Sequence, residues 1–422
     1  MTPLPPIPDS WTWSPLGEIA DVVGGVTKDT KKQSDPKLPL VPYLRVANVQ
    51  RGRIDVTSVA EIRVPEATVH RLQLQPGDVL LNEGGDRDKL GRGWVWEGQI
   101  PNCIHQNHVF RARIRNKILH PKLLAWFTNE CAKGWFEKHG KQTTNLASIS
   151  LSMIKQLPVP IPPVAEQKRL LNLLEDHLSR LDSVLATCTV TTLRLARLRQ
   201  AELNAKFGLR DDDSIALGDL LVGIQAGRSV GGSAPPAGEN EWGIVKVSAM
   251  TWGEFRPQEN KSIPESLVNP NFEIMPGDLL VSRANTSEYV GAPVLVGEVR
   301  RRLLLSDKSL RLVPRNDVDP EWLWRALQAP SARRQISAAA TGTKDSMRNI
   351  SQKLLMGIRL PRVEPDAQRW LAKAYAERDS ELKRIERAAK AGTLRVETLR
   401  RAVLNAAYSG ELNDKIEELA GV

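Results

Sequence analysis

The sequence predicts an α+β protein built twice: two tandem globular domains, each followed by a long helix. Three observations carry this. The stretch LQLQPGDVLLNEGG, Leu72 to Gly85, is answered about two hundred residues later by FEIMPGDLLVSRAN, Phe272 to Asn285. Further pairs keep the same order and nearly the same offset. PLGEIADVVGG at 15–25 answers ALGDLLVGIQAG at 216–227, and HPKLLAWFTN at 120–129 answers DPEWLWRALQ at 319–328. Lastly, two long tracts change from short strand-like runs to apolar residues at alternating steps of three and four. A repeat this long means tandem domains and not a solenoid.

The first domain is expected over 1–160 and its duplicate over 214–362. Val79–Leu81, Val109–Ile114 and Leu279–Val281 are apolar runs of strand length bounded by turn residues,. Pro121–Glu130 has a short helical pattern. The helices are expected over 161–208 and 363–414. Ala165–Phe207 contains neither proline nor glycine. Leu174, His177, Leu181, Val184, Cys188, Thr191, Leu195 and Leu198 mark one seam. Leu382, Ile385, Ala389, Gly392, Val396, Leu399, Val403 and Ala406 mark the other. Spacing of 3.5 residues is that of a coiled coil. A helix of about 40 residues is roughly 60 Å long, which favours the other copy's helix as partner over each helix lying on its own globular domain. Pro162-Pro163 and Pro365-Asp366 stand where a helix can begin, and Gly208 and Gly410 where one can end,.

A formal net charge of +10 points to an acidic partner, nucleic acid first,. Cys103, Cys131 and Cys188 are odd in number and widely spread, which fits a reducing, cytoplasmic setting,. No apolar run is long enough to span a bilayer, and the N-terminus has no signal-peptide pattern,.

At LPVPIPPVAEQKRLL, residues 157–171, the chain resembles the DNA-specificity subunits of type I restriction-modification systems. The resemblance extends to the Leu-Gly-Glu opening, the Pro-Gly-Asp-Val-Leu turn, the TTNLASIS segment and the Leu-Asn-Ala helix end. The second copy keeps Pro365, Ala367 and Gln368 but lacks the double proline. The resemblance implies two target recognition domains, with the two helices packed as an antiparallel coiled coil. It implies a non-catalytic subunit that reads a split, asymmetric duplex DNA target. Two methyltransferase subunits, which carry S-adenosylmethionine, and further motor-nuclease restriction subunits are the implied partners. No cofactor is expected in this chain. Two rigid helices would hold the gap between the half-targets constant, and unlike copies imply unlike halves.

Base readers are expected where scaffold gives way to polar loops. In the first copy these are Asn82, Arg87, Lys89, Arg92 and Trp94, then Lys141, Gln142, Thr143, Thr144 and Asn145. In the second they are Arg283, Asn285, Thr286 and Tyr289, then Lys344, Ser346 and Arg348. Such side chains donate and accept in the pairs that base edges offer. Arg45, Arg51, Lys246 and Lys308 are candidates for phosphate, which positions without specifying.

The competing readings are a stand-alone DNA methyltransferase or nuclease and a coiled-coil adaptor that meets no DNA. VNPNF at 268–272 departs from a methyltransferase loop at Asn271, and no glycine-rich cofactor loop precedes it,. Pro365-Asp366 with Glu381 and Lys383 has nuclease-like residues but lies on a helix tract. Asp86, Asp88 and Gly91 lack the rest of a calcium loop,. Cys103, His105 and His108 lack a fourth metal partner, so strand residues are expected there,.

Overall fold

Both Pro-Gly-Asp turns exist and are built alike. Gly77 and Gly277 have φ of +95° and +87°, a conformation that favours glycine,. The aspartate of each turn folds back on it: Asp78 accepts from the Gln75 amide at 2.7 Å and Asp278 from the Met275 amide at 2.8 Å. An arginine from the neighbouring strand then neutralises each carboxylate. Arg113 donates to both oxygens of Asp78 at 2.7 and 2.8 Å, and Arg311 pairs with Asp278 at 2.8 Å. The strands that follow, Val79–Asn82 and Leu279–Ser282, are buried at every residue.

The structure, a computed structural model, describes residues 4–85, 89–142, 147–209, 213–251, 253–344 and 347–412, with the backbone alone at 142, 343 and 344. It divides into two units, Met1–Cys188 with Ala391–Val422, and Thr189–Lys390.

In the first unit an antiparallel sheet runs Ala20–Gly24, Val109–Ile114, Val79–Asn82, Gly93–Val95. A second sheet has Leu40–Leu44 at its centre, parallel to Ile104–His105 and antiparallel to Ala60–Arg63. Thr12–Pro15 pairs with Pro158–Ile161 and returns the chain to the helix start. The second unit repeats this order: Leu221–Ala226, Ser309–Pro314, Leu279–Ser282, Pro293–Leu295. Gly243–Val245 is again the centre of a mixed sheet, and Ser214–Ala216 pairs with Arg359–Pro361. The two copies differ at the first short helix. Pro121–Trp126 runs on into a π-helical turn, Phe127–Cys131, whereas Pro320–Gln328 is α-helical throughout.

The long helices are Val164–Phe207 and Pro365–Tyr408, each of 44 residues. Each is fastened to its globular domain by one glutamine. Gln167 accepts from the His120 amide at 2.9 Å and donates to the carbonyls of Ile118 and Pro162 at 2.8 and 2.9 Å. Gln368 accepts from the Asp319 amide at 2.9 Å and donates to the Val363 carbonyl at 2.8 Å. Leu170, Leu174 and Leu178 join the core of the first unit, as do Leu404, Ala407 and Tyr408 from the other helix. Leu203, Phe207, Ala372 and Tyr375 do the same in the second unit. Packing on a globular domain and pairing with the other helix therefore both occur.

The coiled-coil seam holds at Leu181, Cys188, Leu195, Leu382, Ala389, Val396 and Val403, which are buried or half-buried. It needs correction at Val184, Leu198, Ile385 and Leu399, which are 48, 39, 39 and 53 % exposed. The alternate inward positions lie one residue further on: Leu185, Thr192 and Arg199, and Glu386, Thr393 and Arg400. Most of these are polar, so apolar periodicity misses them. They turn inward because they find partners. Arg199 donates to Asp379 at 3.0 Å and to Glu386 at 3.2 Å, and Arg400 to Asp182. Gly392 meets Cys188, where an added Cβ would stand 3.0 Å from the sulfur, so close approach is a product of that glycine. Gly410 takes a left-handed φ of +85° after the second helix, whereas Gly208 instead donates to the Asn204 carbonyl at 2.9 Å. Among the described residues no helix is long and apolar enough to cross a membrane.

Candidate nucleic-acid interface

In each unit the buried central strand ends in a residue that leads directly into a small three-stranded sheet. In the first unit Gly84–Gly85 pairs with Ala147–Ser148, which pairs with Lys141–Gln142. In the second, Ala284–Asn285 pairs with Met347–Asn349, which pairs with Thr341–Lys344. The polar stretches read separately in the sequence thus join in pairs, one pair to each unit. Gly84 allows this close approach, since a Cβ there would lie 2.9 Å from the Ala147 carbonyl oxygen.

The sheets hang on matching backbone bonds. Glu83 donates its amide to the His108 carbonyl at 3.0 Å, and its carbonyl accepts from Ile149 at 2.9 Å. Arg283 does the same with Lys308 at 2.8 Å and Ile350 at 3.0 Å. Positions 83 and 283 are therefore structural equivalents, as are 108 and 308. Further on, Gly91 and Gly291 have φ of +66° and +68° and lie over Phe136 and Ile336, leaving no room for a Cβ. Arg333 reaches under the second loop and donates to the carbonyls of Glu288 and Val290 at 3.2 and 2.8 Å. Burial holds its guanidinium below the usual arginine range.

Several expected base readers have their side chains engaged within the fold. Asn82 is fully buried and donates to the Val49 carbonyl at 2.9 Å. Asn285 is buried, donates to Ser282 Oγ at 3.2 Å and accepts from the Thr286 amide at 2.8 Å. Trp94 packs on Trp126 with ring centroids 6.0 Å apart. Arg348 holds its own hairpin, donating to the carbonyls of Gly342 and Ala340 at 3.1 and 2.6 Å. These side chains are spent on backbone groups and neighbouring rings, which polarity in a sequence does not reveal.

Lys141 is exposed, and Lys89, Arg92, Arg283, Thr286 and Tyr289 are half-buried. A hydrogen bond with Glu288 pushes the Tyr289 hydroxyl above its usual range. Arg45 and Lys246 are exposed, and Arg51 is paired with Glu130 at 3.1 Å. Lys308 and Arg283 line one notch with Asp307, Met347 and Asn349. Arg87, Thr143, Thr144, Asn145 and Ser346, with the side chains of Gln142 and Lys344, lie outside the described residues. So do Asp86 and Asp88.

Sequence reasoning weighed His108 only as a metal ligand and did not single out Glu83, yet their side chains meet at 2.7 Å. Their signal was present in the offset to Arg283 and Lys308. His105 is fully buried with Nδ1 2.7 Å from the Val109 carbonyl, and burial lowers its pKa to about 4. Burial likewise raises the Cys103 thiol to about 12. Among the described residues no three His, Cys, Asp or Glu side chains gather as a metal site. Asp366, Glu381 and Lys383 all lie on the second long helix, and Asn271 lies in a single 3₁₀ turn, Pro270–Phe272.

The fold and these paired sheets define a class of protein: a duplicated α+β chain whose two globular domains carry long helices that pair as an antiparallel coiled coil. The comparisons show what a chain of this class is similar to. A family model for the type I restriction modification DNA specificity domain matches residues 8–185. The chain is 25 % identical to the type I restriction enzyme EcoKI specificity subunit of Escherichia coli (strain K12), across 96 % of this chain and 90 % of that protein. It is 34 % identical over 142 residues to the EcoEI specificity subunit of Escherichia coli, a match covering 33 % of this chain and 24 % of that protein. A solved chain described under complex assembly and conformational transition of the type I R-M system superposes with a TM-score of 0.73, at 19 % identity, covering 96 % of this chain and 99 % of that one. Residues 8–185 thus match the type I specificity domain, and nearly the whole chain is similar to a type I restriction enzyme specificity subunit. Those relatives are named as specificity subunits.

Proposed function

We propose that the chain reads a bipartite, asymmetric duplex DNA target, one half with each unit, and recruits methyltransferase subunits along its paired helices. The carrying observation is the pair of three-stranded sheets. They hang on equivalent backbone bonds, yet one presents Glu83 and Ser148 where the other presents Arg283 and Asn349. Equal frames with unlike side chains suit two half-targets of different sequence. Direct readout needs donors and acceptors held at fixed positions in the major groove, and strands rooted in a buried sheet hold them better than a free loop does.

On this reading the division into recognition domains at 1–160 and 214–362 with helices at 161–208 and 363–414 is functional. Lys141, Lys89, Arg92, Arg283, Thr286 and Tyr289 remain the candidate readers, with Arg45, Lys246 and Lys308 toward phosphate. The partners are two methyltransferase subunits, which bind S-adenosylmethionine, and restriction subunits where the cell has them. A DNA target sets the work in the cytoplasm.

Methylome sequencing of cells with and without this chain, in the presence of its methyltransferase subunit, tests the reading. A split motif that is methylated only when the chain is present supports it. An unchanged methylome overturns it. A salt-dependent, sequence-selective shift of duplex DNA by the assembled complex separates it from an adaptor that meets no DNA. Tight binding of S-adenosylmethionine by the purified chain would instead favour a stand-alone methyltransferase.

A further inference from the structure

Positions 83 and 283 occupy the same place in two equal frames, and their charges are opposite. In the second unit Arg283 and Lys308 line a notch of about 360 Å³ at the root of the three-stranded sheet. Neither makes an ion pair among the described residues. In the first unit the same two places hold Glu83 and His108, with Glu83 Oε2 2.7 Å from His108 Nδ1. Their side chains are 25 % and 55 % exposed, so the pair is open to solvent on one side.

An ionised carboxylate only accepts hydrogen bonds. Here one oxygen is held by the imidazole, and the other has no partner among the described residues. Placed against phosphate, such a group is repelled. Placed against a base edge, it accepts from an amino group and rejects the carbonyl oxygens of guanine and thymine. Cytosine N4 and adenine N6 are the amino groups that the major groove offers. Rejection by an unpaired acceptor discriminates as strongly as the favourable bond does.

We propose that Glu83, oriented by His108, is a specificity-determining residue of the first unit, accepting from an exocyclic amino group of cytosine or adenine in its half of the target. This rests on the reading of the chain as a DNA-recognition subunit. His108 is a positioning residue: its ring holds one carboxylate oxygen and so points the other outward. The sheet rooted at Glu83 sets the depth, because the Glu83 backbone is bonded on both sides, to His108 and Ile149.

The test uses the full chain in complex with its methyltransferase subunits and reads the methylated motif genome-wide. Glu83→Ala is expected to relax one position of one half-target, with roughly a ten- to hundredfold loss of discrimination there and no change in the other half. Glu83→Gln keeps the shape and adds a donor, so it is expected to admit guanine or thymine at that same position. An unaltered motif in both variants overturns the proposal, while the split motif of the unsubstituted chain leaves the DNA-reading function standing. An equal loss at every position in both variants marks a structural role and also overturns it. If the unsubstituted chain directs no motif at all, it is the DNA-reading function that fails.

Discussion

Arg199 on the first long helix donates through Nε to Asp379 on the second at 3.0 Å. Asp379 is almost fully buried and also meets Lys383 at 2.9 Å and Arg325 at 3.9 Å. The carboxylate is thus the hub, and each cation is one of several spokes. Removing the hub costs both Arg199 and Arg325 one of their two acidic partners, leaving Glu386 at 3.2 Å and Glu321 at 3.7 Å, whereas removing one spoke leaves the hub paired. Asp379→Ala is expected to lower stability by about 3 kcal/mol or more, and Arg199→Ala by clearly less. Urea unfolding of the two variants checks the order.

The glutamines at the helix starts should act locally. Gln167→Ala leaves the His120 amide and the Ile118 and Pro162 carbonyls without their partner. The expected cost is about 1–3 kcal/mol. Hydrogen exchange should quicken at His120 and through the first turns after Val164, and the first turns after Pro365 should be unaffected. Gln368→Ala should give the mirror result at Asp319.

Acid should weaken the first unit through His105. Its Nδ1 donates to the Val109 carbonyl, and Nε2 is buried without a partner among the described residues, so a second proton finds no acceptor there. Its folded pKa, about 4, lies below the 6.5 of a free imidazole. The unfolded chain therefore binds more protons in between. The stability is fully present above about pH 6.5 and is lost as pH falls toward 4, by about 3 kcal/mol in all. Thermal unfolding across pH 7 to 4 should show this slope, and a folded His105→Gln variant should lose that part of it.

Helix length should set the gap in the DNA target. Seven residues inserted at opposed points in both helices preserve the seam and add about 10 Å to each. The split motif is then expected to widen by about three base pairs, at 3.4 Å per pair. Methylome sequencing reads the gap directly. Retained methylation with an unchanged gap would show that the helices do not measure it.

Much of the frame was legible because it rests on local chemistry that repeats. Pro76-Gly77-Asp78 and Pro276-Gly277-Asp278 specify a turn by a ring, a left-handed glycine and a self-capping carboxylate. The first long helix follows Pro162-Pro163, the second begins at Pro365, and each runs unbroken for 44 residues. The candidate site was legible only as stretches of chain. Asn82 and Arg283 both look like loop polar residues, yet one is fully buried on the Val49 carbonyl and the other lines an open notch.

What the sequence by itself determined was the duplication, the two helices, their heptad spacing and the place where the copies diverge. These follow from turn chemistry and periodicity, which act within a few residues or recur along the chain. Tertiary structure decided which flank of each helix turns inward, because the half-buried Arg199 and the buried Asp379 meet only as a pair formed across 180 residues. It also decided that residues 84–85 and 147–148 share one sheet, and so that Glu83 stands where Arg283 stands. Pairing energies between distant residues leave no periodic trace, so only the folded chain brings them together.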